Sequence, residues 1–416
     1  MSTRLHATLL LFLLLIPADS AFSADGGLIL FPAKSKLFGS DCSQQLLLHQ
    51  AQGEMVLNQV QDEILWQSSD PAVATVDEKG TVRPVNNGQV VITAKRNEQT
   101  ASAEIIVEQA DQHRPWTFRN DVLPILSKHG CNMGACHGAL AGKGGFRLSL
   151  GAYDPETDFF NIVKQDRGRR TEFAAPAESL ILTKPSGGLP HKGGLRIDTE
   201  SRDYRIIAEW IANGAAGPEP MDARIQTLSI FPALSQLVPG NKQQMMVTAQ
   251  YTDGRMEDVT RWVKWTSAND AVCQITQQGE VTVIGPGEGA LTAWFSSSIA
   301  VARVTVPFPG QVPDDVYAQL QPRNFIDEEI NRELKRLNLP PSPQCDDATF
   351  IRRASIDTIG LPPTIEETRR FLADTAPDKR DKLIDALLER PEFVDYWTYK
   401  WSDVLMLNGT LLRPMA

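Results

Sequence analysis

The chain repeats itself, and this constrains its fold more than any other feature. WQSSDPAVATVDEKGTVRPVNNGQVVITA, from Trp66 to Ala94, returns as WTSANDAVCQITQQGEVTVIGPGEGALTA, from Trp265 to Ala293. Trp66 aligns with Trp265, Val73 with Val272, Gly80 with Gly279, Gly88 with Gly287 and Thr93 with Thr292, all at one constant offset. An ungapped match of this length is a duplication. Within each copy, short β-rich runs such as VVITA alternate with Gly, Asn and Asp turns. That texture predicts an all-β sandwich rather than helices.

The pattern W-x-S-x-(D/N)-x-A-V, then G-x-V, then G-x-(A/V)-x-(I/L)-T-A resembles the bacterial immunoglobulin-like group 2 domain. The resemblance covers 26–109 and 225–308, and implies presentation or adhesion at the cell exterior without catalysis. On this reading Trp66 and Trp265 are core residues, and Cys273 is a small buried hydrophobe.

Compartment follows from the first residues. Arg4, an apolar run from Ala7 to Ile16, Pro17 and small residues around Ala21 to Ala24 have the layout of a secretory signal peptide over 1–23. The run is too short for a permanent membrane span. The expectation is export to the periplasm or cell surface. A net charge of −10 argues against nucleic acid as a partner, and five cysteines are too few and too scattered for a disulfide scaffold.

Residues 113–220, between the two copies, read differently. TFRNDVLPILSKHG predicts a helix begun by Thr117, with Val122, Ile125 and Leu126 on one face and Gly130 as its stop. SRDYRIIAEWIANGA predicts another, with Ile206, Ile207, Trp210 and Ile211 as its stripe. Directly after the first comes CNMGACHG. Haem attachment of the c type uses two cysteines followed at once by histidine, but with two intervening residues; here Cys131 and Cys136 are separated by four, and His137 follows. Gly134 lets the two added residues bulge while the Cys136-His137 neighbour relation is kept. A short Cys131–Cys136 disulfide and a zinc site with His129 are the competing readings.

The order DVLPILSKHGCNMGACHG, ESLILTKPSGGLPHKGG and the W-I-x-x-G-A helix resembles the cytochrome c-like domain of large planctomycete surface proteins, whose relatives share the widened spacing. The resemblance implies an all-α domain carrying haem c, with Cys131 and Cys136 attaching the group and His137 as an iron ligand. Between His137 and Trp210 there is no methionine and one histidine, His191. His191 is therefore the expected distal ligand, with His129 and His113 as runners-up. Arg167, Arg169 or Arg170 of QDRGRR are candidate partners for haem propionates. GALAGKGG has the wrong spacing for a phosphate loop.

From Arg323 onward, NFIDEEINRELKRLNLPPSP places Phe325, Ile326, Ile330 and Leu334 at helical spacing, and DDATFIRRASIDTIGLPPTIEETRRFLAD predicts two more helices with Thr364 as an N-cap. The segment 323–416 resembles the start of a helical domain of unknown function found beside planctomycete cytochromes, and it is expected to be incomplete. Asp327, Glu328, Asp357 and Asp395 read as helix-surface acids. The chain is thus expected to be multidomain: two all-β immunoglobulin-like sandwiches, one all-α cytochrome c-like domain and one all-α C-terminal domain. The functional expectation is an exported electron carrier rather than a catalyst, passing electrons to a redox partner protein. The alternative is a haem-less structural protein that contacts surface polysaccharide.

Overall fold

The computed structural model describes residues 27–52 and 55–407. The leader read as a signal peptide lies outside them. The chain divides into two compact units, the first ending at Leu339 and the second beginning at Pro340.

The first copy of the repeat contributes ten strands: β1 (Gly27–Phe31), β2 (Lys34–Phe38), β3 (Gln44–Gln45), β4 (Leu47–Gln52), β5 (Met55–Val60), β6 (Leu65–Ser68), β7 (Ala74–Val76), β8 (Thr81–Pro84), β9 (Gly88–Arg96) and β10 (Gln99–Glu108). They form sheets ordered β1-β4-β5, β2-β10-β9-β6 and β3-β8-β7. The second copy contributes β11 (Ile225–Phe231), β12 (Leu234–Gln236), β13 (Lys242–Gln244), β14 (Met246–Tyr251), β15 (Met256–Asp258), β16 (Lys264–Ser267), β17 (Cys273–Ile275), β18 (Glu280–Val283), β19 (Gly287–Phe295) and β20 (Ser298–Val306). Its sheets run β11-β14-β15, β12-β20-β19-β16 and β13-β18-β17, the same order strand for strand.

Alternation along the strands explains the layering. In β9, Val90, Ile92 and Ala94 point into the sandwich, and in β19 Leu291 and Ala293 do the same. Gly80 holds φ +79 where a Cβ would lie 2.6 Å from the Trp66 ring, so the repeat's Trp and Gly are one packing unit. Trp265 is buried as expected, while Trp66 remains partly exposed; Cys273 is fully buried.

Between the copies the chain is helical and irregular: a π-type turn Phe118–Val122 running into α1 (Leu123–Lys128), then α2 (Pro155–Phe159), α3 (Leu180–Thr183) and α4 (Arg202–Ala212). Thr117 accepts from the Asn120 amide as N-cap, and Gly130 terminates the turn with φ +72. Phe118 packs on Trp210 with ring centres 5.4 Å apart, joining the two predicted amphipathic faces. A single buried apolar cluster runs from Trp116 through Ile125, Ile206 and Trp210 into Tyr251, Val281 and Val306 of the second sandwich, whereas the first sandwich keeps its own cluster. The middle segment and the second sandwich thus share one core.

The first sandwich docks on the second through Phe31 and Phe231, whose rings stack 3.6 Å apart, and through the Gln45 backbone N–H, which donates to the Asp258 carboxylate (3.1 Å). Arg202 of α4 lies between Trp116 and Trp262 and donates to the Asp41 carbonyl (2.6 Å). The buried Asp121 accepts two bonds from Arg114 and two more from Thr117. Burial alone would lower the Arg114 pKa, and the Asp121 carboxylate outweighs it and raises it.

Helices α5 (Asp314–Ala318) and α6 (Phe325–Arg336) end the first unit. The stripe Phe325, Ile326, Ile330 is exposed, contrary to its helical-core spacing; nothing among the described residues buries it. The second unit consists of α7 (Asp347–Ile359), α8 (Ile365–Ala373), α9 (Lys379–Leu388) and α10 (Pro391–Val404). Thr364 forms a full capping box with Glu367, and Gly360 closes α7 at φ +72 where a Cβ would meet Tyr396 at 2.4 Å. No helix among the described residues is long and apolar enough to cross a membrane.

His49 is fully buried against the edge of the Phe231 ring (5.2 Å), and neither ring nitrogen has a hydrogen-bond partner. Burial pushes its pKa down to about 4 from 6.5. The unfolded chain therefore binds a proton that the folded one refuses between these values. Stability is full above pH 6.5 and declines as pH falls toward 4, by roughly 3 kcal/mol in all. Urea titrations across this range should show that slope in the parent protein and a flatter one in His49→Phe. Equal slopes in the two proteins would refute the assignment.

Candidate functional site

The site is built on the two loops that leave the middle segment's helices. After α1 the chain folds back on itself: His137 N–H donates to the Cys131 carbonyl (2.9 Å), and Cys136 N–H to the Met133 carbonyl (2.8 Å). The four intervening residues are thus an ordered turn. Gly138 returns so close to Asn132 that a Cβ there would lie 2.1 Å from its carbonyl oxygen. The sequence reading missed this requirement. Its signal was the glycine directly after Cys-His.

His137 directs Nδ1 at the Phe146 carbonyl (3.0 Å). The second loop carries His191, whose Nδ1 faces the Gly194 carbonyl (3.1 Å). The two imidazoles lie near-parallel, 10° apart, with ring centres 6.2 Å from each other. A backbone carbonyl accepts only from a protonated Nδ1, so each Nε2 is left with its lone pair. Gly193 has no side chain where a Cβ would lie 2.7 Å from the His191 ring. The His137 pKa is lowered, first by burial and also by the charges of His191, Arg170 and Lys143, while the Phe146 bond raises it. Burial outweighs the carbonyl bond, and the net effect favours a neutral imidazole.

All five cysteines are free thiols. Burial, with Cys136 nearby, pushes the Cys131 thiol up to about 12, so it rests in its protonated form. Among the described residues no group of three or more His, Cys, Asp or Glu side chains is arranged to hold a metal ion. Two imidazoles with Nδ1 bonded to backbone carbonyls, and two thiols in the turn beside one of them, are donors of the kind that could hold a macrocyclic metal group. Leu140, Leu189 and Leu195, which flank the two histidines in sequence, are exposed and supply apolar surface for such a group.

The other expected residues fall elsewhere. His129 gives Nε2 to Asp203 (2.8 Å), which Lys128 also contacts at 2.8 Å. His113 pairs with Asp41. Neither runner-up stands beside His137. Arg170 is buried over the Phe146 ring (4.6 Å) and spends its donors on the Asn161 carbonyl and Asp166, so it braces the His137 carbonyl partner instead of waiting for a propionate. Arg167 and Arg169 are exposed. Arg196, not singled out in the sequence, lies near enough to Cys131 to influence its titration.

Comparison with known proteins gives two matches to families. Residues 48–107 match the bacterial Ig-like domain (group 2), and residues 325–411 match PSCyt2, a protein of unknown function (DUF1549). The chain therefore carries a bacterial immunoglobulin-like domain and a PSCyt2 segment, and the second sandwich shares the topology of the first. Ice-binding protein 1 of Shewanella frigidimarina is 32% identical over 85 residues, 20% of this chain and 10% of that protein. Among solved structures, the S-layer protein rSbsC(31-844) aligns with 11% identity over 65% of this chain and 23% of its own, at a TM-score of 0.19. A SusE-like surface located polysaccharide binding protein of Bacteroides thetaiotaomicron aligns with 9% identity over 68% and 34%, at 0.14. This chain spans only a small part of each relative, and similarity at this level assigns no function.

Gly138→Ala should destabilise the middle segment by about 1–3 kcal/mol, because the added methyl meets backbone that cannot move aside. Gly134→Ala meets nothing within 4 Å and should be nearly neutral. Thermal melts of both variants check the pair, and an unaffected Gly138→Ala protein would contradict the closed turn.

Proposed function

We propose that this chain is an exported one-haem electron carrier, with haem c attached through Cys131 and Cys136 and held axially by His137 and His191. The observation that carries the reading is the pair of near-parallel imidazoles, each with Nδ1 bonded to a backbone carbonyl and Nε2 free. When bound, the haem would supply a one-electron iron couple. The protein's part is to orient and insulate. The Phe146 and Gly194 carbonyls fix the tautomer of each histidine and raise its donor strength. Arg170 steadies the Phe146 side. With both axial positions taken by imidazole, the centre is suited to passing electrons rather than binding oxygen, at a lower potential than a His/Met centre.

Export rests on the leader sequence and on the Ig-like domain, and the redox partner is taken to be another protein of the cell envelope. The test is expression of the whole chain with haem-maturation machinery. The expected product keeps its haem through acid acetone extraction and on a denaturing gel, and the Cys131→Ala, Cys136→Ala double variant loses it. Haem that is extracted from the unmodified protein would exclude the thioethers. Protein that never acquires haem would leave a structural surface role in its place.

The iron should be low-spin and six-coordinate, with the rhombic electron paramagnetic resonance signal of parallel imidazole planes. His191→Ala should give a high-spin or water-ligated ferric spectrum, while His113→Ala and His129→Ala leave it unchanged. A low-spin His191→Ala protein would remove His191 from the site.

A further inference from the structure

The outer face of the first sandwich's sheet β1-β4-β5 docks on the second sandwich, and the register settles which residues it presents. Leu30, Leu48 and Val60 lie side by side across the three strands and point into the first sandwich's own core. One residue along, Ile29, His49 and Gln59 therefore point the other way, as does Leu47 beside Phe31. This face meets Phe231, whose ring stacks on Phe31 and stands perpendicular to that of His49. It also meets Gln244, whose backbone N–H donates to the Gln59 side chain. His49 is thus buried by the neighbouring sandwich and not by the core of its own.

Nothing at this contact is fitted to a charged imidazole. Strands β1, β5, β11 and β12 carry no ionisable residue, and Lys242 of β13 is paired with Glu280 (3.0 Å). The Leu47 carbonyl favours the charged ring, yet neither ring nitrogen reaches it in hydrogen-bonding geometry. Gln243 of β13, a strand that packs on β5, is likewise buried with neither end of its amide bonded. Toward the chain connection at 109–113 the contact is polar instead. There Gln45 N–H donates to Asp258, Arg261 to the Ser43 hydroxyl (3.0 Å) and Arg202 to the Asp41 carbonyl, while Asp41 pairs with His113. Burial raises the Asp41 pKa, but the His113 bond and charge outweigh it and hold the carboxyl below its usual range, so the pair persists in mild acid. The two sandwiches keep separate cores, so parting them at the Phe31 end wets the His49 ring without unfolding either.

We infer that the contact between the sandwiches is an acid-operated hinge, closed while His49 is neutral and opened when a proton on its ring draws it out to water, with both sandwiches still folded. A charged ring with no acceptor is costly to keep buried, and the least structure is lost by parting the Phe31–Phe231 stack. The sign follows from the ring's titration. In the open form the imidazole has its ordinary pKa of 6.5, and in the closed form burial lowers it to about 4. Closure is therefore favoured fully above pH 6.5 and weakens as pH falls toward 4. Linkage between these two values makes the opening constant roughly 20-fold larger at pH 5 than at pH 7.

The test is amide hydrogen exchange of the whole chain, followed by NMR at pH 7 and pH 5 and corrected for the intrinsic effect of pH on the rate. The Gln244 N–H donates across the contact and reports its opening. Those of Ile92 and Ala293 lie in the central strands β9 and β19 and report unfolding. Between pH 7 and pH 5, exchange at Gln244 should rise about 20-fold in the parent. It should stay nearly level in His49→Phe, which keeps Asp41, His113 and Asp258, while Ile92 and Ala293 stay protected in both proteins. Circular dichroism and melting temperature at pH 7 verify that the variant folds, and His49→Leu takes its place should it melt early. Equal acceleration at Gln244 in parent and variant would remove His49 as the trigger. Acceleration at Ile92 and Ala293 in step with Gln244 would make acid act by unfolding. Either result, or a Gln244 amide that does not respond to acid in the parent, overturns the inference.

Discussion

Everything around the candidate site hangs from one shared apolar core. The turn and helix at 118–128, α4 and the second sandwich bury their apolar stripes in one cluster. This makes the middle segment a graft on a β scaffold, not a free-standing helical domain. The arrangement has a consequence for the two loops. Cys131 follows a helix whose Val122, Ile125 and Leu126 are all buried, and His191 precedes one anchored by Ile206 and Trp210. The loops are irregular, but their roots are rigid, and rigid roots are what let two distant histidines meet.

Charge follows the same logic. Several ionised groups inside the first unit find local partners: Asp121 in Arg114 and Thr117, Asp203 in His129 and Lys128, and Arg202 in two indoles and a carbonyl. Burial raises the Asp203 pKa, and the bonds from His129 and Lys128 more than offset it. His129 is thereby committed to the fold. His137 and His191 instead bond only backbone carbonyls through Nδ1 and lie with their rings near-parallel.

Duplication supplied two sandwiches, and divergence gave them different tasks. The first docks through Phe31 against its sister, with His49 sealed behind the contact. The second accepts the helical graft. Identical topologies with different surfaces are expected when backbone pattern is fixed by the inward positions and the outward ones are free to change.

The sequence by itself determined the sandwiches, the two amphipathic helices and two of the helix caps, because each rests on a local pattern: the repeated Trp and Gly, Thr117 and Thr364. It also named Cys131, Cys136, His137 and His191 as residues worth bringing together. It did not determine that the middle segment shares a core with the second sandwich, since a hydrophobic stripe does not say what will cover it. The exposed stripe of α6 makes the same point in reverse. Nor was it legible that His129 and Arg170 are already bonded, because that depends on Asp203 and the Asn161 carbonyl being brought to them by the fold. Spacing along a chain fixes which residues are neighbours on one element, and only tertiary packing decides which side chains are already taken.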